Sequence, residues 1–437
     1  MRGWACVFRL RQRAKGSLLA VPVVGAAVGA LVAELCIRWD AVRPPPFGWS
    51  YSPGAAQEIL ATIVGAMVSL FGFVVAIGLL VVQVATGSLS PRFMRLWYRD
   101  RLQKTVLATF VGTIVLAFSL LHRVREEQVH DFGVTLAGVG VTASLILLLW
   151  YLDRFVHTLR PVGIGRIVAR RGVLEARKVA ALARRHHVAP APGEVPAGPP
   201  AGVVRSHTSG IVQSVDLRRL IRLAERHDCV LVMTSTYGDF VATDAPLIEI
   251  HTSGRPPDER AFAGRVALGD ERTVDDDPGF AMRVLVDIAI RSLPPYANDP
   301  TTTVQLLDYI EMLLINLART ADFGDRLALR DRRGRVRLVV PMRGFNEYLR
   351  LAVTEIRQYG ASSTQVCRRL TALLEGVRDA VAPEQRPLVD AELATLDRAV
   401  AAHFTDPQEA AVARRSDRQG LGGTAEPPEP PLPGRPG

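Results

Sequence analysis

The stretch LATIVGAMVSLFGFVVAIGLLVVQVA, residues 60–85, runs for 26 residues without a charged side chain. A bilayer core of about 30 Å needs about 20 apolar residues of helix, so the stretch predicts a transmembrane helix. Leu18–Ile37, Thr105–Leu121 and Phe132–Leu152 meet the same requirement, the third span (105–121) at its short end. Arg9, Arg11, Arg13 and Lys15 precede the first span, as in a signal peptide. Its apolar run is long for one and three spans follow, so a retained helix is expected. The sequence therefore predicts a basic N-terminus (1–16) and an α-helical membrane domain of four transmembrane helices (17–152).

Charge agrees. The chain has 437 residues, is 48% hydrophobic and carries a net +10. Residues 1–187 hold 23 Lys+Arg against 9 Asp+Glu, while residues 188–437 hold 30 against 34. Positive charge thus sits beside the apolar segments and not on the later region. That points to anionic head groups at the inner leaflet as a partner, and away from nucleic acid. Basic residues alternate between loops: five before span one, two after it, five at 92–104, two at 123–125 offset by Glu126 and Glu127, then seven from Arg154 to Lys178. By the positive-inside rule both termini are cytoplasmic. The segment Ser90–Lys104, basic with Phe93, Met94, Leu96 and Trp97 interleaved, fits an amphipathic helix on the inner leaflet. A second basic helix, Gly165–His187, lies within a juxtamembrane stretch at 153–188 and reads as a solvated or lipid-facing stalk.

Within span two, Thr62, Gly65, Ser69, Gly72, Ala76 and Gln83 step by three, four and seven. Apart from Leu79 they make one narrow, small-to-polar face. Small residues let helices approach closely in lipid, and the same face suits a pore lining in an oligomer, with Gln83 near the inner mouth. Gly133, Ala137, Gly140 and Ser144 repeat the pattern in span four, which favours packing. No span has a central charge; Glu34 lies near the outer end of span one. Ion-coupled transport usually needs such a residue.

The second half reads as an Ala/Pro/Gly linker (189–202), a cytosolic α+β domain (203–405) with a small β-barrel-like part and a helical part, and a disordered tail (416–437). Strands are predicted at Ile211–Val215 and Cys229–Thr236, with two more after a turn at Gly238-Asp239. A hairpin over Leu327–Leu338 turns at Arg333-Gly334. Helices are predicted over Leu217–Arg226, Phe345–Tyr359, Ser362–Val381 and Glu384–Phe404. Two more begin alike, at Asp277-Pro278 and Asp299-Pro300: aspartate caps the free N–H groups of a first turn and proline suits the first helical position. Between them SLPPYANDPTT, residues 292–302, leaves Tyr296 and Asn298 without an evident structural task, so a ligand or turn motif at Tyr296, Asn298 and Asp299 stays open.

Other chemistry is sparse. The three lysines, Lys15, Lys104 and Lys178, exclude a lysine P-loop or Schiff base beyond residue 178. Cys6, Cys36, Cys229 and Cys367 form no CxxC pair. His227, Cys229 and His251 match no metal-site spacing, and the run Asp270, Glu271, Asp275, Asp276, Asp277 reads as a solvated loop before a cation site. No hydrolase, zincin, Walker or dinucleotide signature occurs. No catalytic residue, metal or cofactor is called for.

The order of features is similar to a bacterial family of predicted membrane proteins, the domain-of-unknown-function 2254 family, over about residues 5–400. The resemblance rests on ATIVGAMVSLFGFVVAIGLLVVQVATGSLSPRFMR, SGIVQSVD, YGDFVATDAPL, LGDERTVDDDPGFAMRVLVDIAIRSLPPYANDPTT and VVPMRGFNEYL. The family tends to have Ser-Pro-Gly-Ile where Pro294-Pro295-Tyr296-Ala297 stands, and glycine in place of Asp244. The resemblance implies a bacterial plasma-membrane location and an architecture, but no reaction. Two functions are consistent: a non-enzymatic, homo-oligomeric membrane protein with a cytosolic regulatory or interaction domain, channel-like in its specific form, or a membrane-anchored ligand sensor or enzyme.

Overall fold

A computed structural model describes residues 20–40, 50–88, 101–125, 129–158, 161–186, 198–262, 264–319 and 325–422. The expected basic N-terminus, most of the 90–104 amphipathic segment and most of the linker lie outside these residues. The chain divides into two compact units, one ending at Arg160 and one starting at Pro161.

The first unit has four helices long and apolar enough to cross a membrane: α1 (Ala20–Asp40), α2 (Pro53–Ser88), α3 (Arg101–Leu121) and α4 (Asp131–Thr158). Large apolar side chains such as Val24, Leu31, Phe73, Ile146 and Leu149 point outward, as a lipid-facing surface requires. Lipid is as apolar as leucine, so helix association depends on close van der Waals approach. Small residues provide it. A side chain on Gly29 would overlap the carbonyl of Gly112, and one on Gly25 the carbonyl of Ala108, so α1 and α3 pack backbone against backbone. A Cβ on Gly140 of α4 would lie 3.0 Å from Thr113 Oγ1 of α3. Ser144 donates to the Gly140 carbonyl at 2.7 Å and is fully buried. Helix α3 is central, with 39% of its apolar window buried; α2 is peripheral, with 11%. Glu34 is met by Arg123 at 2.7 Å and Arg38 at 3.2 Å.

The second unit opens with α5 (Pro161–His186). The stalk expected here is corrected: α5 buries Ile164, Val168, Ala169, Val173 and Ala176 against two later helices. A Cβ on its Gly172 would meet Ala281 at 2.8 Å. Small residues at 165, 169, 172 and 176 form the contact stripe that basic composition hid.

Strands β1 (Gly202–Arg205), β2 (Gly210–Val215), β3 (Val230–Met233), β4 (Phe240–Val241), β5 (Pro246–His251) and β6 (Val266–Gly269) follow, with α6 (Leu217–Arg226) after β2. Helices α7 (Pro278–Arg291) and α8 (Pro300–Ala318) precede the hairpin β7 (Arg326–Arg330) and β8 (Val336–Pro341). Then come α9 (Phe345–Gly360), α10 (Thr364–Ala380), α11 (Arg386–His403) and α12 (Pro407–Arg414).

The strands form two sheets, β1-β5-β3-β8-β7 and β4-β2-β6. Every ladder is antiparallel except β3/β8, where Leu231 faces Leu338. The region is therefore mixed α/β, and no closed barrel is found among the described residues: no ladder joins the two sheets. One apolar core, including Val212, Leu220, Leu231, Ile248, Phe262 and Leu338, lies between them. Residues 416–422 of the expected tail are described. Asp417 accepts N–H bonds from Gln419, Gly420 and Gly422 and faces Arg368 at 3.5 Å.

Replacing Gly29 with valine should force α1 from α3, an overpacking cost of about 1–3 kcal/mol. The melting temperature in detergent should fall. Gly65→Val, with nothing within 4 Å of its Cβ position, should leave it unchanged in the isolated chain.

Candidate functional site: a buried carboxylate where four segments meet

The sequence-predicted residues fall into three groups. On α2, Thr62, Gly65, Ser69, Gly72, Ala76 and Gln83 are all exposed. Gly65 and Gly72 have no atom within 4 Å of a Cβ position. Their counterparts on α4 are spent inside the chain: Ala137 and Ser144 are fully buried, and Gly140 faces Thr113.

The second group is 292–302, which is a locked corner. Ser292 caps the end of α7, donating to the Ala289 carbonyl at 2.8 Å, and its hydroxyl lies 2.6 Å from that of the buried Thr303. The N–H groups of Ala297 and Asn298 reach the Pro294 carbonyl, and that of Asp299 reaches Ser292, each at 2.9 Å. Asn298 has φ +40°, a left-handed conformation that asparagine tolerates better than most residues. Asp299 caps α8, accepting from the Thr302 N–H at 3.0 Å and its hydroxyl at 2.6 Å. The corner thus explains Asn298 and Asp299. Tyr296 stays 86% exposed.

The third group surrounds Asp277, and here distant parts of the sequence converge. Asp277 caps α7 through the Phe280 N–H at 3.1 Å and is buried. Arg343, from the β8–α9 junction, donates to its Oδ1 at 3.0 Å and to the Tyr237 carbonyl at 3.4 Å. Gly238 sits against the same carboxylate with φ +85°, and any Cβ there would be 2.6 Å from Oδ2. A Cβ on Gly279 would be 2.6 Å from the Arg343 guanidinium. Arg272 donates to the Gly238 carbonyl at 2.8 Å. From β2, Gln213 donates to the Glu271 carbonyl at 2.7 Å and Ser214 to Asp276 at 2.8 Å. Arg171 of α5 pairs with Asp275 at 2.6 Å.

The four strings that carry the family resemblance in this half, three short ones around residues 213, 238 and 343 and the long one that contains 277, therefore converge near one carboxylate. Sequence reading found the Asp277 cap but missed Arg343, Arg272, Gln213 and Ser214. The available signal was that each sits inside one of those strings.

Burial dominates the electrostatics of the groups at the centre of the junction. Burial raises the Asp277 carboxyl above the ordinary aspartate range, against the opposing pull of Arg343. Burial likewise raises the Tyr348 and Tyr237 phenols. The acidic loop is not an open cation cage: Asp275, Asp276 and Asp277 each have a protein partner. No group of three metal-ligating side chains is gathered among the described residues. His227 is edge-on to Phe262, His251 lies 3.5 Å from Glu249, and burial pushes the Cys229 thiol up to about 11. A cavity of 140 Å³ lies elsewhere, beside His207, Phe262 and Leu268; drug-sized ligands occupy about 300 Å³ or more.

Four helices long and apolar enough to cross a membrane, followed by a mixed α/β unit with this buried junction, define a predicted membrane protein. The chain belongs to the DUF2254 family of predicted membrane proteins, matched over residues 15–376. It is similar to uncharacterized proteins of Mycobacterium bovis and of Mycobacterium tuberculosis strain H37Rv, 28% identical over 418 residues to each, covering 91% of this chain and 79% of each relative. No solved structure matches.

Asp277→Ala removes a cap and leaves Arg343 facing a vacancy, so it should destabilise the second unit by about 3–5 kcal/mol. Asp299→Ala, an exposed cap, should cost about 1 kcal/mol. Denaturant unfolding of the full chain separates the two. The pH profile has a defined sign. Because the folded carboxyl is raised, the stability contributed by Asp277 is greatest below the ordinary aspartate range and is lost as pH rises through its folded value. Asp277→Asn, which keeps a capping side chain, should remove that dependence.

Proposed function

We propose that this protein is a homo-oligomer of the bacterial plasma membrane, with both termini cytoplasmic, whose copies meet through the small-to-polar face of α2. It is not an enzyme in this reading. The cytosolic α+β unit serves regulation or interaction, and a channel-like role is its specific form. One observation carries the proposal: six small or polar residues over six turns of α2 are exposed in the chain, whereas the matching stripe on α4 is consumed by packing. A face that lets backbones approach gains nothing from lipid and gains contact from another helix. Thr62 and Ser69 add hydroxyl groups that a second copy or a water-filled axis can meet. The basic loops on alternate sides support the orientation.

The alternative, a membrane-anchored ligand sensor or enzyme, draws on the convergence at Asp277. It predicts that Asp276→Ala changes divalent-cation binding by calorimetry while the fold is kept. The pairing of Asp275, Asp276 and Asp277 with protein groups supports the oligomer reading instead.

Oxidative cross-linking in membranes tests the interface. Ser69→Cys should give a covalent dimer and Val75→Cys, equally lipid-accessible but off the face, should not. Ser69→Leu should lower the oligomer mass, and conductance in liposomes should be lost in Ser69→Leu and Gln83→Leu. A silent protein that stays monomeric at every lipid-to-protein ratio would sink the proposal.

A further inference from the structure

Helix α5 has two faces of different chemistry. The inner face is buried on α7 and α8. The outer face carries Arg166, Ile167, Arg170, Leu174, Arg177 and Lys178, all exposed and all within one third of the helix circumference at 100° per residue. Ile167 and Leu174 are 44% and 57% exposed, two turns apart. No acidic residue shares this face; Glu175, the only acid on α5, is buried on the other side and reached by the stem of Lys178, whose ammonium lies 2.8 Å away. Only Leu159 and Arg160 separate α5 from the helix that forms the fourth span.

We infer that this outer face is a docking surface for an anionic bilayer, with Ile167 and Leu174 entering the head-group boundary and Arg166, Arg170 and Arg177 meeting lipid phosphates. The chemistry of the face selects that occupant. Arg166, Arg170 and Arg177 lie along one flank of the apolar pair and Lys178 along the other, which suits a helix lying in the interface plane, and their long stems allow the charge to reach phosphate while the methylenes stay in the apolar zone. A protein groove would need acidic side chains opposite three arginines, whereas an anionic bilayer offers phosphate to the arginines and an apolar zone to Ile167 and Leu174 beside them. The inference is independent of the α2 interface: it requires one copy and a bilayer, and neither oligomer nor pore.

The test uses the full chain in nanodiscs, with Cys6→Ser and a fluorophore on Leu174→Cys. Cys36, Cys229 and Cys367 are buried. In bilayers containing phosphatidylglycerol, quenching by aqueous iodide should drop relative to phosphatidylcholine alone, and quenching by brominated lipid should rise. The difference should vanish in high salt, which screens exposed charge, and in the R166Q/R170Q/R177Q variant. Those substitutions are all on the exposed face, so the fold should persist; a label on Ile167→Cys in otherwise unchanged protein provides the same reading if it does not. Equal iodide access in both lipids overturns the proposal. Equal protection in both lipids, without brominated-lipid quenching, overturns it in favour of a protein occupant.

Discussion

Much of the second unit is organised around the ion pair between Asp277 and Arg343. The carboxylate caps α7, the guanidinium anchors the chain between β8 and α9, and Gly238 holds the β3–β4 turn against both. One buried charge therefore fixes a helix start, a strand exit and a turn. Isolated buried charge is expensive, so all three segments have to arrive together. The same requirement explains two glycines. At 238 the backbone has positive φ and touches the carboxylate; at 279 a side chain would displace the guanidinium.

The first unit depends on a different constraint. In lipid there is no hydrophobic gain from helix contact, so shape decides. Glycines at 25, 29 and 112 bring α1 and α3 together, and the stripe on α4 closes onto Thr113. Helix α2 contributes its bulky side, with Leu60, Met67 and Val74 inward. Its small side is left outward. That side is the one the proposed oligomer would use.

Much of this was legible in the sequence. The four spans follow from length and apolarity alone, and both Asp-Pro helix starts are observed with the expected caps. The hairpin at 327–338 follows from turn chemistry, Gly334 having φ +79°. What local pattern could not supply was long-range pairing. Nothing near Val336–Pro341 announces that this strand runs parallel to Val230–Met233, some hundred residues earlier. Nor does Arg343 announce a partner 66 residues upstream. The α+β content was legible for the same reason that the barrel-like part was not: short strands are visible in the sequence, but which edges pair is not, and the described strands form two sheets without a closed barrel. Asp244 adopts a left-handed turn with φ +63°, a region that aspartate tolerates better than most residues.

Helix α5 shows how composition misleads about burial. Its basic residues suggested a stalk, yet charge on a helix reports only the face it occupies. Counting small residues on the other face locates the contact with α7 and α8, and Arg166, Arg170 and Arg177 are left on the remaining third, while Arg171 beside it pairs with Asp275. A helix that is polar all round would be a spacer. One that is close-packed on one side and cationic with two aliphatic residues on the other has two surfaces to satisfy. The fold satisfies the first through Ala281 and Leu313, which meet the backbone of Gly172. The second has the arginine-and-aliphatic composition that the anionic interface proposed above would serve in both its parts.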